Sequence, residues 1–221
     1  MQVREHMLYK AARTEKGRER IRSLLEHAID EFVEMGYEGA SINRIIARSG
    51  GSKTTVYQSF GNKEGLFIAA LEMMADDLYE ACVADYKPGR TLLEDLESFG
   101  RAYLKGILAA RSVAVMRLIY AQAGRLPQVG EWFYNEGILA SYRGFAKVLE
   151  NHVDAPLTEL EETASLFLEA LRGRLFQQAL CLPQKGITED EIEAEAARAI
   201  DLVLALIEKR YAGRKRCAAR A

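Results

Sequence analysis

The sequence is short of the residues that build metal centres, disulfide scaffolds and membrane spans. Its three cysteines, Cys82, Cys181 and Cys217, are scattered and odd in number, so they form neither a metal-binding nor a disulfide framework and fit a reducing compartment. No long uncharged apolar run and no signal-peptide pattern follow Met1. We therefore expect a soluble, cytoplasmic protein with no membrane association.

Catalytic motifs are also scarce. The three histidines, His6, His27 and His152, lack any metal-binding spacing, and neither a nucleophile elbow nor a phosphate-binding loop is present. Carboxylate runs at 159–162 and 189–191 lie at predicted helix starts, where they interact favourably with the helix dipole without an acid–base role. We expect no enzymatic activity, no cofactor and no metal.

Few segments alternate with the period of two that marks strands, and all four prolines lie beyond residue 87. Apolar residues instead recur at three- and four-residue spacing. This periodicity predicts a first helix from about Glu15 to Met35, ended by Gly36. Further helical segments are predicted from 63 to the low eighties and at 90–109, 112–123, 128–151, 158–181 and 188–210. The sequence therefore predicts an all-α protein.

The stretch Ser41–Phe67 contains a short apolar helix, a break at Gly50-Gly51 and a second short helix. Ser41 and Ser52 are placed to cap these two helices, and Asn62 to cap the next. Val56 and Phe60 are expected to anchor the second helix, on which polar side chains are crowded: Lys53, Thr54, Thr55, Tyr57 and Gln58. This arrangement is the pattern of a helix-turn-helix DNA-binding unit.

Charge supports the same interpretation only locally, because the whole chain carries a net charge of −2. Within Ser41–Gly65, four basic side chains stand against the single acidic Glu64. We predict that the DNA contacts are made by Ser41, Arg44, Ser52, Lys53, Thr54, Thr55, Tyr57, Gln58 and Lys63. Lys53 suits a phosphate or a guanine edge, and Gln58 can pair with adenine. The alternative is a solvated polar face on a small helix.

Residues 24–67 resemble the N-terminal domain of the TetR/AcrR family of one-component bacterial transcriptional regulators. The resemblance is carried by the end of the first helix and by positions at fixed spacing after it: Phe32-Val33-Glu34-Met35-Gly36-Tyr37, Ser41-Ile42, Ile45-Ile46-Ala47, Gly50, Ser52-Lys53, Thr55, Tyr57, Phe60, Lys63-Glu64 and Leu66-Phe67. It implies an all-α homodimer in which Tyr57 reaches the DNA backbone. Residues 117–142 are similar to the AcrR/AefR-like branch.

The sequence departs from the family pattern at four positions of the DNA-binding unit. The family usually has Val at Gly51, a small residue at Thr54, an aromatic residue or His at Gln58, and Tyr at Ser59. Because these positions lie in or beside the second helix, the departures bear on the operator sequence and leave the fold unchanged.

Two apolar helical patterns near the C-terminus are wide enough to form a dimer surface. We predict an interface from Leu168, Leu171, Leu175, Ala179, Ala196, Ile200, Val203, Leu204 and Ile207; the alternative is that both helices are buried within one subunit. Aromatic and Met residues of the central helices suit a lipophilic effector site. We predict that this site contains Phe99, Tyr103, Met116, Ile119, Tyr120, Trp132, Phe133, Tyr142 and Phe167, although core packing is an alternative role for each.

These observations predict four parts: a flexible arm at 1–13, a three-helix DNA-binding domain at 14–62, a larger helical ligand-binding and dimerisation domain at 63–210, and a basic tail at 211–221. The predicted function is a repressor that leaves a palindromic operator when it binds a hydrophobic or aromatic small molecule. Two alternatives remain open. One is an activator or a protein-responsive DNA-binding regulator, and the other is a helical small-molecule-binding protein or enzyme with a non-functional DNA head.

Overall fold

The computed structural model describes residues 14–84, 87 and 90–214, and the regular elements within these ranges are all helices. The predicted arm at 1–13 and residues 215–221 of the predicted tail lie outside the described residues. The all-α prediction is therefore confirmed. In chain order the helices are α1 Glu15–Gly39, α2 Ile42–Ser49, α3 Lys53–Phe60, α4 Lys63–Val83, α5 Leu92–Leu108, α6 Ala110–Gln122, α7 Pro127–Trp132, α8 Ala140–Leu149, α9 Leu157–Cys181 and α10 Glu189–Arg210.

The chain forms two compact units. Within the described residues, the first unit contains 14–77 and 114–137, and the second contains the remaining residues from 78 onward. The first unit thus holds the predicted DNA-binding domain together with most of α4, most of α6 and all of α7. The domain boundaries given above remain predictions, because a compact unit need not coincide with a functional domain.

The first unit is built on an apolar core between α1, α2, α3 and α4. The Phe32 ring lies 4.7 Å from the Phe67 ring and 5.7 Å from the Tyr37 ring, measured between centroids. Val115, Ile119 and Val129 belong to the same core. Phe32 and Phe67 are fully buried and pack α1 against α4. These two helices support the shorter helices α2 and α3.

The end of α1 differs from its prediction. Gly36 has a φ of 69°, which breaks the helix where the sequence indicated, but one further turn follows before Ala40 ends the element. The amide of Ala40 donates to the carbonyl of Gly36 at 3.1 Å and closes this extra turn. The buried Tyr37 lies inside it, so the extra turn is held by the core.

The second unit packs α9 against α5, α8 and α10. Its centre is aromatic: the ring of Phe145 lies 4.5 Å from that of Phe99 and 4.9 Å from that of Phe167. Tyr211, which the sequence assigned to the tail, is fully buried, and its hydroxyl donates to the carbonyl of Glu159 at 2.9 Å. The chain therefore stays packed beyond the end of α10.

The predicted segment 128–151 is not one regular helix. Between α7 and α8 the backbone is π-helical over Phe133–Leu139. Such segments are short and rare, and they cannot be recognised from the apolar periodicity that they share with α-helices. Apart from the end of α1, the other helical segments agree with their predicted ranges to within about two residues.

Candidate nucleic-acid interface

The link between α2 and α3 depends on two glycines. Gly50 ends α2 with a φ of 76°, and its amide donates to the carbonyl of Ile46 at 2.8 Å. Gly51 follows with a φ of 120°, a conformation that L side chains rarely adopt. The chain can therefore turn sharply between the two short helices without strain, so that α3 begins shortly after α2 ends.

The start of α3 is fixed by a local cap. The Ser52 hydroxyl accepts a hydrogen bond from the amide of Thr55 at 3.1 Å, and the two hydroxyls lie 2.9 Å apart. Val56 and Phe60 are buried on the inner side of the helix. A helix of eight residues is too short to be stable alone, so the cap and these two anchors hold it.

The outer side of α3 presents the polar residues that the sequence assigned to DNA. All five are exposed: Lys53, Thr54, Thr55, Tyr57 and Gln58. The Tyr57 side chain is among them although it is aromatic, with 50% of its surface exposed. The predicted DNA-contacting residues of this helix therefore share a solvent-facing side, while its apolar residues face the core.

Ser41 and Arg44, which the sequence also assigned to DNA, are joined through Glu31 of α1. Oε1 of Glu31 accepts from the Ser41 amide at 2.9 Å and from Arg44 Nε at 2.7 Å. The Ser41 side chain makes no capping hydrogen bond, so the predicted side-chain cap of α2 is wrong. Its amide is satisfied instead by a carboxylate ten residues earlier in the chain.

The contact between Glu31 and Arg44 shifts the pKa of both side chains. The hydrogen bond from Arg44 lowers the pKa of the Glu31 carboxyl below its ordinary value, and the Ser41 amide adds to the effect. The same hydrogen bond raises the pKa of Arg44. The Arg44 Nη2 also donates to the carbonyl of Gly39 at 2.6 Å. Arg44 is therefore held in place at the start of α2.

Two further basic residues of this region have partners within the chain. Arg48 pairs with Glu34 at 3.3 Å. The Lys63 ammonium donates to the carbonyl of Tyr37 at 2.8 Å and lies 4.7 Å from the centroid of the Tyr37 ring. Lys53 has no hydrogen bond or ion pair with any described residue. Of the four basic residues counted in the sequence, Lys53 is thus the one without a hydrogen bond or ion pair within the described chain.

The predicted effector residues are divided between the two units. The first unit contains Met116, Ile119, Tyr120, Trp132 and Phe133, and the second contains Phe99, Tyr103, Tyr142 and Phe167. In the first unit, Ile119 lies in the apolar core, and the indole Nε1 of Trp132 donates to Glu72 at 3.2 Å. Each group is therefore brought together within its own unit, and their role as an effector site remains a prediction.

In the second unit, an arginine that the sequence did not single out lies between two of the predicted tyrosines. The Arg172 Nε donates to the Tyr103 hydroxyl at 2.8 Å, and its guanidinium lies 5.8 Å from the Tyr103 ring centroid and 5.9 Å from that of Tyr142. Burial raises the pKa of Tyr103 to about 12. Burial acts to lower the pKa of Arg172, but Tyr103 and Glu169 act in the opposite direction, and the pKa is raised overall.

The residues predicted to form a dimer interface lie mostly inside the subunit. Eight of the nine are buried within the single chain, and the remaining one, Leu204, is partly buried. Their burial favours the alternative in which this apolar stripe packs within one subunit. The exposed large apolar side chains of α9 and α10 are Leu157, at 38%, Leu166, at 54%, and Leu202, at 66%.

The described residues contain neither a candidate metal site nor a candidate membrane span. No three His, Cys, Asp or Glu side chains within them come together as a possible metal site. No helix in that part of the chain is both long and apolar enough to span a membrane.

Sequence comparison identifies relatives for both halves of the chain. Residues 24–70 match the family described as bacterial regulatory proteins, tetR family, and residues 94–208 match the AefR-like transcriptional repressor C-terminal domain. The transcriptional repressor AcnR of Corynebacterium glutamicum is 35% identical over 80 residues, which is 34% of this chain and 42% of AcnR. The aligned stretch thus spans less than half of that repressor's own length.

Structural comparison covers nearly the whole chain. A structure described as a TetR-family transcriptional regulator from Mesorhizobium loti has a TM-score of 0.71 at 24% identity, covering 87% of this chain and 98% of that one. The flavonoid-responsive regulator FrrA has a TM-score of 0.65 at 27% identity, covering 92% of this chain and 99% of FrrA. The fold is therefore that of these regulators along almost their full length.

Proposed function

The chain belongs to the TetR family of bacterial regulatory proteins, and we propose that it is a repressor that binds a palindromic operator as a homodimer and leaves it when a hydrophobic or aromatic small molecule binds. The observation that carries this proposal is the outer side of α3, where five polar side chains are exposed beside a buried apolar anchor. DNA binding itself follows from the family.

Each residue of this side has a chemical role in the proposal. Lys53, with no partner in the described chain, binds a phosphate or a guanine edge. The Gln58 amide pairs with adenine, and Thr54 and Thr55 donate to a phosphate or meet a thymine methyl group. Tyr57 reaches the DNA backbone with its exposed hydroxyl. The operator sequence is therefore recognised mainly by Thr54 and Gln58, whereas Lys53 and Tyr57 mainly fix the position of α3 on the DNA.

The remaining predicted DNA contacts come from residues outside the exposed side of α3. Arg44, Ser41 and Lys63 are held by other groups of the chain, and a DNA phosphate would meet them already oriented. A guanidinium that donates to Glu31 through Nε still has donors left for a phosphate. Ser52 is the cap of α3, so its contribution to DNA binding is mainly to orient that helix.

TetR-family regulators act as dimers, and we place the dimer contact of this chain on the outer seam between α9 and α10. An ion pair between Glu162 and Arg210, at 2.7 Å, crosses from one helix to the other. Leu166 lies one turn beyond Glu162 on α9, and Leu202 lies about two turns before Arg210 on α10. Two exposed leucines on adjoining helices are suited to bury each other's surface across a two-fold axis.

A two-fold dimer implies a symmetric operator. Its two α3 helices would enter successive major grooves when they are about 34–36 Å apart, or a multiple of this spacing. A ligand that binds more tightly to a dimer with a different spacing would release the operator, because only differential affinity shifts such an equilibrium. Release therefore needs no direct competition between effector and DNA.

The effector class is proposed from the aromatic composition of the central helices. The second unit contributes the stacked rings of Phe99 and Tyr103, together with Tyr142 and the charged Arg172. The similar regulator FrrA is described as flavonoid-responsive, and a flavonoid is an aromatic small molecule of the proposed kind. These two observations support an aromatic effector that carries polar groups.

The proposal is tested by titrating a purified protein–operator complex with a panel of flavonoids and other lipophilic aromatic compounds. Loss of the DNA complex, together with a change in the fluorescence of Trp132, the single tryptophan of the chain, is the expected result. A reporter gene placed behind the operator should be more active when the regulator is absent. Retention of the complex across the panel would contradict the effector proposal, and lower reporter activity without the regulator would identify an activator.

A further inference from the structure

Three arginines of α1 lie at alternate positions but differ in their surroundings. Arg18 forms an ion pair with Glu15, and Arg22 pairs with Asp77 at 2.6 Å. Arg20, between them in the chain, is exposed and has no hydrogen bond or ion pair with any described residue. Since Arg20 lies about 200° around the helix from each neighbour, it points to a different side of α1.

Arg20 reaches the turn that leads into α3. A Cβ atom placed on Gly51 would lie 3.8 Å from Nη2 of Arg20, which is van der Waals contact. Gly51 therefore leaves the turn bare where Arg20 approaches it.

Two cations without partners in the described chain thus adjoin the same glycine turn. Arg20 approaches from α1, and Lys53 is the first residue of α3. The other basic residues nearby are already engaged: Arg44 with Glu31, Arg48 with Glu34, and Lys63 with two carbonyls. The positive end of the α3 dipole lies at the same place. Uncompensated positive charge is therefore concentrated at one edge of the predicted DNA-contacting helix.

A duplex carries one phosphate per about 3.4 Å along each strand, so the strand that borders an occupied groove offers a row of anions. A guanidinium suits a phosphate better than an ammonium does, because its planar fork donates two parallel hydrogen bonds. Arg20 has all of its donors available for this purpose among the described residues.

We propose that Arg20 is a phosphate-binding residue of the DNA interface, which contacts the backbone of the duplex beside Gly51 while α3 lies in the groove. In this role Arg20 fixes the register of α3 without reading a base. The inference rests on the proposed DNA-binding function and adds to it a contact from α1 that motif comparison did not indicate. It also explains what the glycine at position 51 contributes: because Gly51 has no side chain, the Arg20 guanidinium can lie beside the turn.

The test is the salt dependence of DNA binding. The affinity of the full-length protein is measured for a labelled duplex of random sequence and for the operator fragment, at several salt concentrations. Arg20→Gln should reduce the magnitude of the slope of log K against log salt by about 0.9 for each bound subunit. Affinity for the two duplexes should fall by the same factor, because a phosphate contact carries no sequence information. Arg20→Lys should keep most of the wild-type slope.

The matched control is Arg125→Gln, which removes one exposed arginine from the turn after α6. It should leave the slope at the wild-type value, and neither variant should change the melting temperature. A wild-type slope for Arg20→Gln, or an equal decrease for Arg125→Gln, would overturn the assignment of Arg20. If the wild-type protein binds neither duplex, the proposed function fails first, and the two failures are therefore distinguishable.

Discussion

The carboxylate of Glu31 and the guanidinium of Arg44 join α1 to the start of α2, with Arg44 Nε donating to Glu31 Oε1 at 2.7 Å. The two side chains differ in exposure: that of Glu31 is 3% exposed and that of Arg44 is 49% exposed. A nearly buried acid thus anchors a half-exposed base. The pair holds α2 in position, and α2 in turn positions the glycine turn and α3.

The first prediction follows from this pair. Glu31→Ala should reduce the free energy of unfolding by about 1–3 kcal/mol, because the Ser41 amide and Arg44 lose their shared acceptor. Glu34→Ala is the matched control: it removes an exposed carboxylate that pairs with Arg48 at 3.3 Å, and it should cost less than about 1 kcal/mol. Urea denaturation measures both. Equal costs for the two variants would contradict the role given to Glu31.

The second prediction concerns pH. The folded-state pKa of Glu31 is lowered by its hydrogen bonds, chiefly that from Arg44, so the ionised carboxylate stabilises the folded chain. This contribution is fully present above the unfolded pKa, about 4.3, and is lost as the pH falls through the lower folded pKa. The stability difference between the wild type and Glu31→Gln should therefore be constant near neutral pH and shrink in acid. A difference that grows as the pH falls below about 4 would contradict the prediction.

The third prediction concerns the cap of α3. Ser52→Ala removes the acceptor of the Thr55 amide and should cost about 1 kcal/mol, with weaker DNA binding because the first turn of α3 loosens. Ser59→Ala, in the same helix and without a hydrogen bond from its hydroxyl to any described residue, should leave the free energy of unfolding nearly unchanged. Chemical denaturation and a gel shift provide the two measurements. Wild-type DNA affinity in Ser52→Ala would show that the cap does not support the interface.

The start of a helix can be predicted from the sequence when the residue that caps it lies within a few residues of its partner. Ser52 and Asn62 could be identified as caps from the sequence, since their partners, Thr55 and Gly65, lie three residues ahead. Ser41 fits the same pattern, yet its side chain makes no cap. The carboxylate that meets its amide comes from Glu31 on another helix, and such a contact depends on tertiary packing that residue spacing does not encode.

Apolar periodicity likewise identifies a helix face but not its partner. Leu168 and Ile200 repeat at helical spacing, which predicts burial equally well against the same chain or against a second copy. In the structure both are buried within one chain, whereas Leu166 and Leu202 are exposed. Arg20 also gave no signal in the sequence, because its position beside Gly51 results from the way α1 packs against the turn.

The fourth prediction tests the placement of the dimer contact. Leu202→Glu should shift the protein from dimer to monomer in analytical ultracentrifugation, because a charge on the outer seam would be buried against the second copy. Leu93→Glu, which changes a leucine of α5 that is 45% exposed, should leave the oligomeric state unchanged. A dimeric Leu202→Glu protein with wild-type dissociation behaviour would move the interface to another surface.

The central claim is that the outer side of α3 binds DNA, and its most direct test is a gel shift of genomic fragments with wild-type protein, Lys53→Ala and Tyr57→Ala. The wild type should select fragments that contain a two-fold symmetric sequence. Each variant should bind them at least about tenfold more weakly, a loss of about 1.4 kcal/mol, while melting at the wild-type temperature. Wild-type affinity in both variants, or no fragment selected by the wild-type protein, would contradict the claim.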